Sequence, residues 1–512
     1  MVAAVWIFSI LACSQTYLSQ ADVAATAGVQ ATRPILPATA SPNATFQPTQ
    51  TDTLDAPAEA STTPTIHVTA TLDPRATPKP PILYYTLAGD TLASITGRFG
   101  ITADKITSDE QLPQKGLINP NILLIIPDTL GETTSDTIVM PDSEVVYSPS
   151  AAGFDIMAFI EGTDGYLSHY TEQMGSGNKT GAEIVRQVAL ENSINPYLLL
   201  AILEYKSHWV YGQPTNLAEA EYPMGKVDYD YRGLYDQLSW TVQQLSIGYY
   251  GWRAGILYEM MFRDRTWIRM DPRINAGTAA VQYLFAQWYN NAEWAGALYG
   301  NESMPRLLES MFGNYLERAL KVEPLYPPDL TQPELALPFM PNRVWSMTGG
   351  PHSAWGPDGA LSAIDFAPPS MTSGCIDSNE WVTAMAPGVI IRANNGQVMQ
   401  DLDGDGVEQT GWNILYMHIA TRDRVPVGTY LQTGDKIGHP SCEGGSATGT
   451  HTHVVRKYNG EWILAGGPMP FDMSGYVAVN GDKPYEGELV NGSKVVVADT
   501  LSSPKSFISR SQ

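Results

Sequence analysis

Five of the eight histidines in this 512-residue chain fall after Leu337: His352, His418, His439, His451 and His453. Two of them stand one residue apart in the stretch SATGTHTHVV (446–455), directly after a Gly-Thr turn. Residues i and i+2 of a strand project from the same face. His451 and His453 would therefore lie side by side with Thr452 on the opposite face, as a metal ligand and a neighbouring proton handler require. The pair alone is a weak signal, because such spacing also occurs on ordinary strands. It needs a carboxylate and a third imidazole. Asp365, in SAIDFAPP (362–369), places a carboxylate in an otherwise apolar strand, where it is costly without a partner. His418, in NILYMHIA (413–420), falls at the inner phase of another strand.

The elements that must position these groups are short, β-rich and Gly-punctuated from about Leu337 onward. VPVGTYLQTGDKIG (425–438) reads as two short strands around a Gly-Asp turn. The ordered series I-D-F-A-P, A-P-G-V-I, Y-x-H-I, G-D-K-I-G and T-G-T-H-T-H resembles the lysostaphin-type zinc metalloendopeptidases over about 346–457. The resemblance implies a C-terminal antiparallel all-β peptidase domain, placed at 329–500, with a tail at 501–512. It also implies Zn2+ and, as substrate, peptide bonds in the stems or cross-bridges of peptidoglycan. Carried over by position, Asp365 and His453 are zinc ligands, while His418 and His451 are the catalytic histidines that orient water and stabilise the oxyanion. The family's first ligand is a histidine four residues before the aspartate, and here that position is Leu361. His352, at the end of a Gly-Gly-Pro turn, is expected to take its place from the adjacent strand, with SAWGPDGAL as the intervening loop. His439 is the other imidazole that could be recruited. A lost ligand would leave a catalytically dead fold, because two ligands without a third rarely hold zinc.

Two further features lie in the same third of the chain. In DLDGDGVEQTGW (401–412), Asp401, Asp403, Asp405 and Gly406 match the first half of a calcium loop, but position twelve is Trp412. That excludes a full EF-hand and leaves Ca2+ at a hairpin tip, with Glu408 completing a shortened site, or a plain acidic turn. Cys375 and Cys442 form a plausible disulfide pair in an oxidising compartment, where a bridge would pin the rim of the cleft.

Upstream, the opening MVAAVWIFSILACSQ is an apolar run too short to span a bilayer and reads as a signal-peptide core. Its Ile-Leu-Ala-Cys ending resembles a bacterial lipoprotein cleavage box, which implies lipidation of Cys13. Residues 1–20 are assigned to this segment, and 21–81 to an Ala/Thr/Pro-rich linker that cannot bury a core. Within 82–128, a strand, a Gly-Asp turn, helical spacing of Leu92, Ile95 and Phe99, and a closing L-I-I-P resemble the βααβ LysM module. The resemblance implies binding of N-acetylglucosamine-containing glycans in a groove at Gly89, Asp90, Thr91 and Asn119. A second linker is expected at 129–150. The helical region at 151–328 contains INPYLLLAILEYKSHW, similar to the catalytic-helix region of lysozyme-like lytic transglycosylases, an all-α fold. There the family's acidic residue is replaced by Lys206, beside Ser207, and an exposed lysine cannot protonate a glycosidic oxygen as a carboxyl does. Glu204 lies on a different helix face. The region is therefore expected to be non-catalytic.

The formal net charge is −23, with no basic stretch, so nucleic acid is excluded as a partner. The expectation for the whole chain is a multidomain, extracytoplasmic zinc endopeptidase, secreted or lipid-anchored at the bacterial cell envelope, with peptidoglycan as partner. The alternative is a non-catalytic peptidoglycan-binding scaffold or hydrolase regulator in which both enzyme-like domains have decayed.

Overall fold

The computed structural model describes residues 79–175 and 177–511. The expected signal segment, Cys13 and nearly all of the first linker lie outside the described residues. Among the described residues, no helix is long and apolar enough to cross a membrane.

Residues 82–126 pair β1 (Ile82–Tyr85) antiparallel with β2 (Leu123–Ile126) around α1 (Leu92–Phe99). Thr91 caps α1 through a reciprocal capping box with Ser94, and Gly100 ends it in the left-handed conformation. The second helix expected here is a single 3-10 turn, Ala103–Lys105. The stretch that follows carries Pro113 and Gly116 and no helical repeat of apolar residues.

The helical region is built on α2 (Gly181–Asn192), α3 (Pro196–Ser207), α4 (Leu234–Ala254) and α5 (Ala276–Trp288). Thr180 and Glu183 form the capping box of α2, and α3 starts with Asn195 as cap and Pro196 in the first turn. Its core reaches upstream of the expected boundary. Val139, Met140, Val145 and Val146 are buried in it, and Asp142 accepts hydrogen bonds from Gly277 N (2.7 Å) and Asn275 Nδ2 (2.7 Å). The second half of the segment expected as a linker at 129–150 is thus core. Its burial comes from contacts with α5, about 130 residues away in sequence, and local periodicity does not report these.

The sheet region is antiparallel. Its strands are β3 (Val344–Ser353), β4 (Leu361–Ala367), β5 (Gly388–Asn394), β6 (Gln397–Asp401), β7 (Trp412–Met417), β8 (Tyr430–Leu431), β9 (Thr452–Tyr458) and β10 (Phe507–Ser509). They lie in the order β8-β5-β6-β7-β9-β4-β3-β10. The segment expected as a tail therefore supplies an edge strand: Ile508 pairs with Trp345 and is buried. A separate four-stranded sheet fills 472–497.

Period-two alternation divides the main sheet between two cores. Ile364, Phe366, Val398, Ile414, Tyr416 and Val454 face one core, made within the sheet region. Ala363, Met399, Leu415, Met417 and Val455 face the other, which is continuous with the core of the helical region. Helix α4 runs along this second face, where Trp462 N donates to Tyr250 Oη (3.0 Å) and Tyr249 Oη to Glu461 (2.9 Å). Arg253, near the end of α4, joins all three regions. It donates to Glu461 (2.9 Å), Asp142 (2.9 Å) and the Ala88 carbonyl. A Cβ at Gly97 of α1 would overlap the Gly255 carbonyl at the end of α4, so glycine permits that contact.

Candidate metal centre

His453 on β9 lies directly opposite Asp365 on β4, and their side chains share the face that carries Ala363 and Val455. His352 arrives from β3 through an irregular register: Gly349 pairs with Asp365, but His352 pairs with Ala363. That irregularity turns the ring of His352 toward the same point. A Cβ at Gly349 would stand 2.6 Å from Asp365 Oδ2, so only glycine leaves room for the carboxylate there. The structure thus brings His352, Asp365 and His453 together, all buried. Leu361, four residues before Asp365, begins β4 and takes no part.

The donor atoms form a tight triangle. His352 Nε2 lies 3.0 Å from His453 Nδ1 and 3.3 Å from Asp365 Oδ1, and His453 Nδ1 lies 3.1 Å from the same oxygen. Four ligands held tetrahedrally at 2.0–2.1 Å from zinc stand about 3.3 Å apart, so these separations match the edges of that figure. Protonation points the same way. His352 Nδ1 is 2.8 Å from the Gly350 carbonyl, and His453 Nε2 is 3.2 Å from the Ala354 carbonyl. Each neutral ring therefore places its proton on the outer nitrogen and turns a lone pair inward, as metal-bound histidines do. Two imidazole lone pairs and a carboxylate converging in a buried space repel one another unless a cation lies between them. The residues present fit zinc.

The electrostatics follow from burial and proximity. Burial pushes the His453 imidazole down. Burial opposes protonation of His352 as well, but the Asp365 carboxylate beside it outweighs this and raises its pKa. Burial would raise Asp365, yet the surrounding imidazoles hold its carboxyl well below the usual range.

The other two histidines stand next to this triangle. The His418 and His451 rings are 4.4 Å apart, and His451 Nε2 lies 3.8 Å from Asp365 Oδ2. Burial, with His451 and His453 nearby, pushes the His418 imidazole down to about 3. Tyr485 was not singled out from sequence, yet its ring stacks on His352 at 4.1 Å. It sits in a loop of the 472–497 sheet, and nothing in its local pattern signals proximity to the metal face. His439 lies elsewhere, with Nδ1 2.8 Å from the Glu380 carbonyl and its ring against Trp381.

Cys375 and Cys442 form a disulfide. Carboxylate oxygens of Asp401, Asp403 and Asp405 do cluster, but Asp401 already accepts from the backbone N–H groups of Asp403 (3.1 Å), Gly404 (3.0 Å) and Gly406 (2.8 Å). Glu408, expected to complete a calcium site, is instead buried against Arg392 (3.0 Å) and Lys457 (2.7 Å).

The groove residues of the 82–128 module are largely engaged by the protein itself. Asp90 is buried against Tyr84 and Arg98, Thr91 caps α1, and Gly89 packs under Arg253. Asn119 Oδ1 accepts from Asp329 N (3.1 Å). In the helical region, Lys206 Nζ lies 3.3 Å from Tyr289 Oη and 4.4 Å from the Trp288 ring, and burial lowers its pKa to about 8. Glu204 accepts from Val210 N (2.8 Å) and Tyr211 N (3.0 Å), closing the end of α3.

A family model described as LasA, N-terminal domain, matches residues 138–324, beginning where the buried segment before α2 begins. Protease LasA of Pseudomonas aeruginosa strain UCBPP-PA14 is 24% identical over 355 residues, covering 66% of this chain and 78% of its own length. Its counterpart from another P. aeruginosa strain is 24% identical over 357 residues, with the same coverage of both chains. Among solved structures, the chain is similar to the M23 metalloprotease pseudoalterin from the deep sea, at 22% identity and a TM-score of 0.28, over 33% of this chain and 96% of that one. It is also similar to the catalytic domain of lysostaphin from Staphylococcus simulans, at 25% identity and a TM-score of 0.18, over 24% of this chain and 90% of that one. The likeness to a protease over two thirds of the chain, together with the donor triangle, supports a peptidase.

Proposed function

We propose that the chain is a zinc metalloendopeptidase that hydrolyses peptide bonds in the stems or cross-bridges of peptidoglycan. The observation that carries this reading is the triangle of His352, Asp365 and His453, whose lone pairs converge at spacings suited to zinc. Zinc bound there would supply a water of pKa about 7 and polarise the scissile carbonyl. The protein's own residues do the rest. The Gly350 and Ala354 carbonyls hold the ligand rings in the required tautomers. His418 and His451 keep their protons on Nδ1, so each can take a proton at Nε2 and return it to a leaving amine or developing oxyanion.

The helical region is read as non-catalytic, because Lys206 stands against aromatic rings and the Glu204 carboxylate is used to close α3. Peptidoglycan is the proposed partner and the extracytoplasmic envelope the proposed location, a setting in which the Cys375–Cys442 bond would persist. Lipidation of Cys13 would add an anchor. Glycan binding by the 82–128 module would use the part of its face still open, a recess of about 90 Å³ between Asn119, Pro120, Tyr326 and Asp329.

The test is hydrolysis of purified peptidoglycan peptides by the full chain, with and without a strong chelator. Chelation should abolish cleavage, and added zinc should restore it. Equal cleavage in both conditions would sink the mechanism. A chain that holds zinc but cleaves nothing would favour the scaffold reading.

A further inference from the structure

Both imidazoles beside the donor triangle are held by one loop. His418 has a left-handed backbone, with φ 60°, a conformation that bulky L-residues rarely adopt and that persists only when its surroundings impose it. The imposing group is Ser441: its N–H (2.7 Å) and its hydroxyl (3.0 Å) both donate to the His418 carbonyl. Two residues on, the Glu443 carbonyl receives the His418 Nδ1 proton at 3.1 Å. The same loop serves His451, whose N–H donates to the Ser441 carbonyl (3.3 Å) and whose Nδ1 donates to the Gly449 carbonyl (2.7 Å). Ser441–Glu443 therefore grips His418 from its backbone and its ring at once.

The loop is fastened on two sides. The Glu443 carboxylate accepts from Thr421 N (2.7 Å), Thr421 Oγ1 (2.6 Å) and Arg424 Nη2 (3.0 Å). These bonds fix the residue whose carbonyl meets His418. On the other side, Cys442 is bonded to Cys375. Thr450 Oγ1 donates to the Ile376 carbonyl (2.6 Å) and its N–H to the Gly374 carbonyl (3.1 Å). The disulfide thus ties the loop to a second strand of chain rather than merely closing the rim.

We infer that Glu443 is a positioning residue: its carboxylate, anchored by Thr421 and Arg424, and the adjacent Cys375–Cys442 bond hold the loop that keeps His418 and His451 in the Nδ1–H tautomer, with Nε2 turned to the reaction site. The wrong tautomer would present an N–H where an acceptor is required. The inference rests on the peptidase reading for its effect on rate, but not for the tautomers themselves.

The test uses the full chain labelled with 15N-histidine, comparing wild type with Glu443→Ala, Glu443→Gln and Cys375→Ser. Imidazole nitrogen shifts, zinc content and steady-state hydrolysis are read together. Glu443→Ala should keep wild-type zinc, since no ligand is touched. It should move the His418 nitrogens toward a tautomer mixture and lower kcat by about 10- to 100-fold, the size of effect seen when an orienting partner is lost, with KM little changed. Glu443→Gln retains an acceptor for Thr421 and Arg424 and should recover most of that loss. Cys375→Ser should shift the same nitrogens less. Should Glu443→Ala fail to fold, Cys375→Ser carries the same comparison. Wild-type nitrogen shifts and wild-type kcat in Glu443→Ala would overturn the inference. Shifted tautomers in a chain that cleaves nothing would leave it standing and overturn the peptidase reading instead.

Discussion

The sheet region and the helical region of this molecule treat their ionisable groups in opposite ways. At the triangle of the sheet region, backbone carbonyls take the outer nitrogens of His352 and His453, and the inner nitrogens converge with the Asp365 carboxylate on one point. At the corresponding place in the helical region, the groups are consumed by the fold. Glu204 closes a helix end, and Lys206 lies against Tyr289 and Trp288. An active site keeps reactive atoms in reserve; a structural site uses them. This difference separates the two regions more sharply than residue type does.

The largest effect should come from the triangle. Asp365→Ala or His453→Ala should lower peptide hydrolysis by roughly 1000-fold or more, since the metal supplies several kcal/mol of transition-state stabilisation at about 1.4 kcal/mol per tenfold. Residual cleavage within tenfold of wild type would place the chemistry elsewhere. His418→Ala should cost about 100- to 10,000-fold in kcat while zinc content stays at the wild-type level. Loss of zinc in that variant would make His418 a ligand instead.

Arg253 tests whether the two regions form one unit. Arg253→Ala leaves Glu461 and Asp142 buried without their cation and should destabilise the chain by about 3–5 kcal/mol, read as a shift in the denaturant midpoint. A separate early transition of one region would show instead that they fold independently.

The smallest effects belong to Lys206. Lys206→Met should leave hydrolysis unchanged, and a tenfold loss would contradict the contrast drawn above. Its pH signature has a definite sign. Burial depresses the folded-state pKa to about 8, below the unfolded value of about 10.4, so the unfolded chain binds more protons between these values. Wild-type stability relative to Lys206→Met should therefore rise as pH goes from about 8 to 10.4. A difference that stays flat over that window would mean the amine is solvated.

Much of the candidate site was legible because it obeys strand alternation. His451, His453 and Asp365 announce themselves as polar groups spaced on apolar strands. His352 was expected on the adjacent strand, but the register irregularity between β3 and β4 that aims its ring is encoded in no local pattern. The groups that set the tautomers are backbone carbonyls of Gly350, Ala354, Glu443 and Gly449, and a carbonyl has no residue signature. The buried start of the helical region and the edge strand Phe507–Ser509 were missed for a related reason. Both are ordered by distant partners, and neither has an internal repeat. The calcium motif was legible as spacing alone, and the loop satisfies Asp401 with its own N–H groups.

The most direct test of the central claim is the zinc stoichiometry and affinity of the full chain beside His352→Ala. One tightly bound zinc per wild-type chain, with loss of most of that binding in the variant, is the predicted result. Equal zinc binding by both proteins, or none by the wild type, would contradict the assignment of His352, Asp365 and His453 as the metal centre.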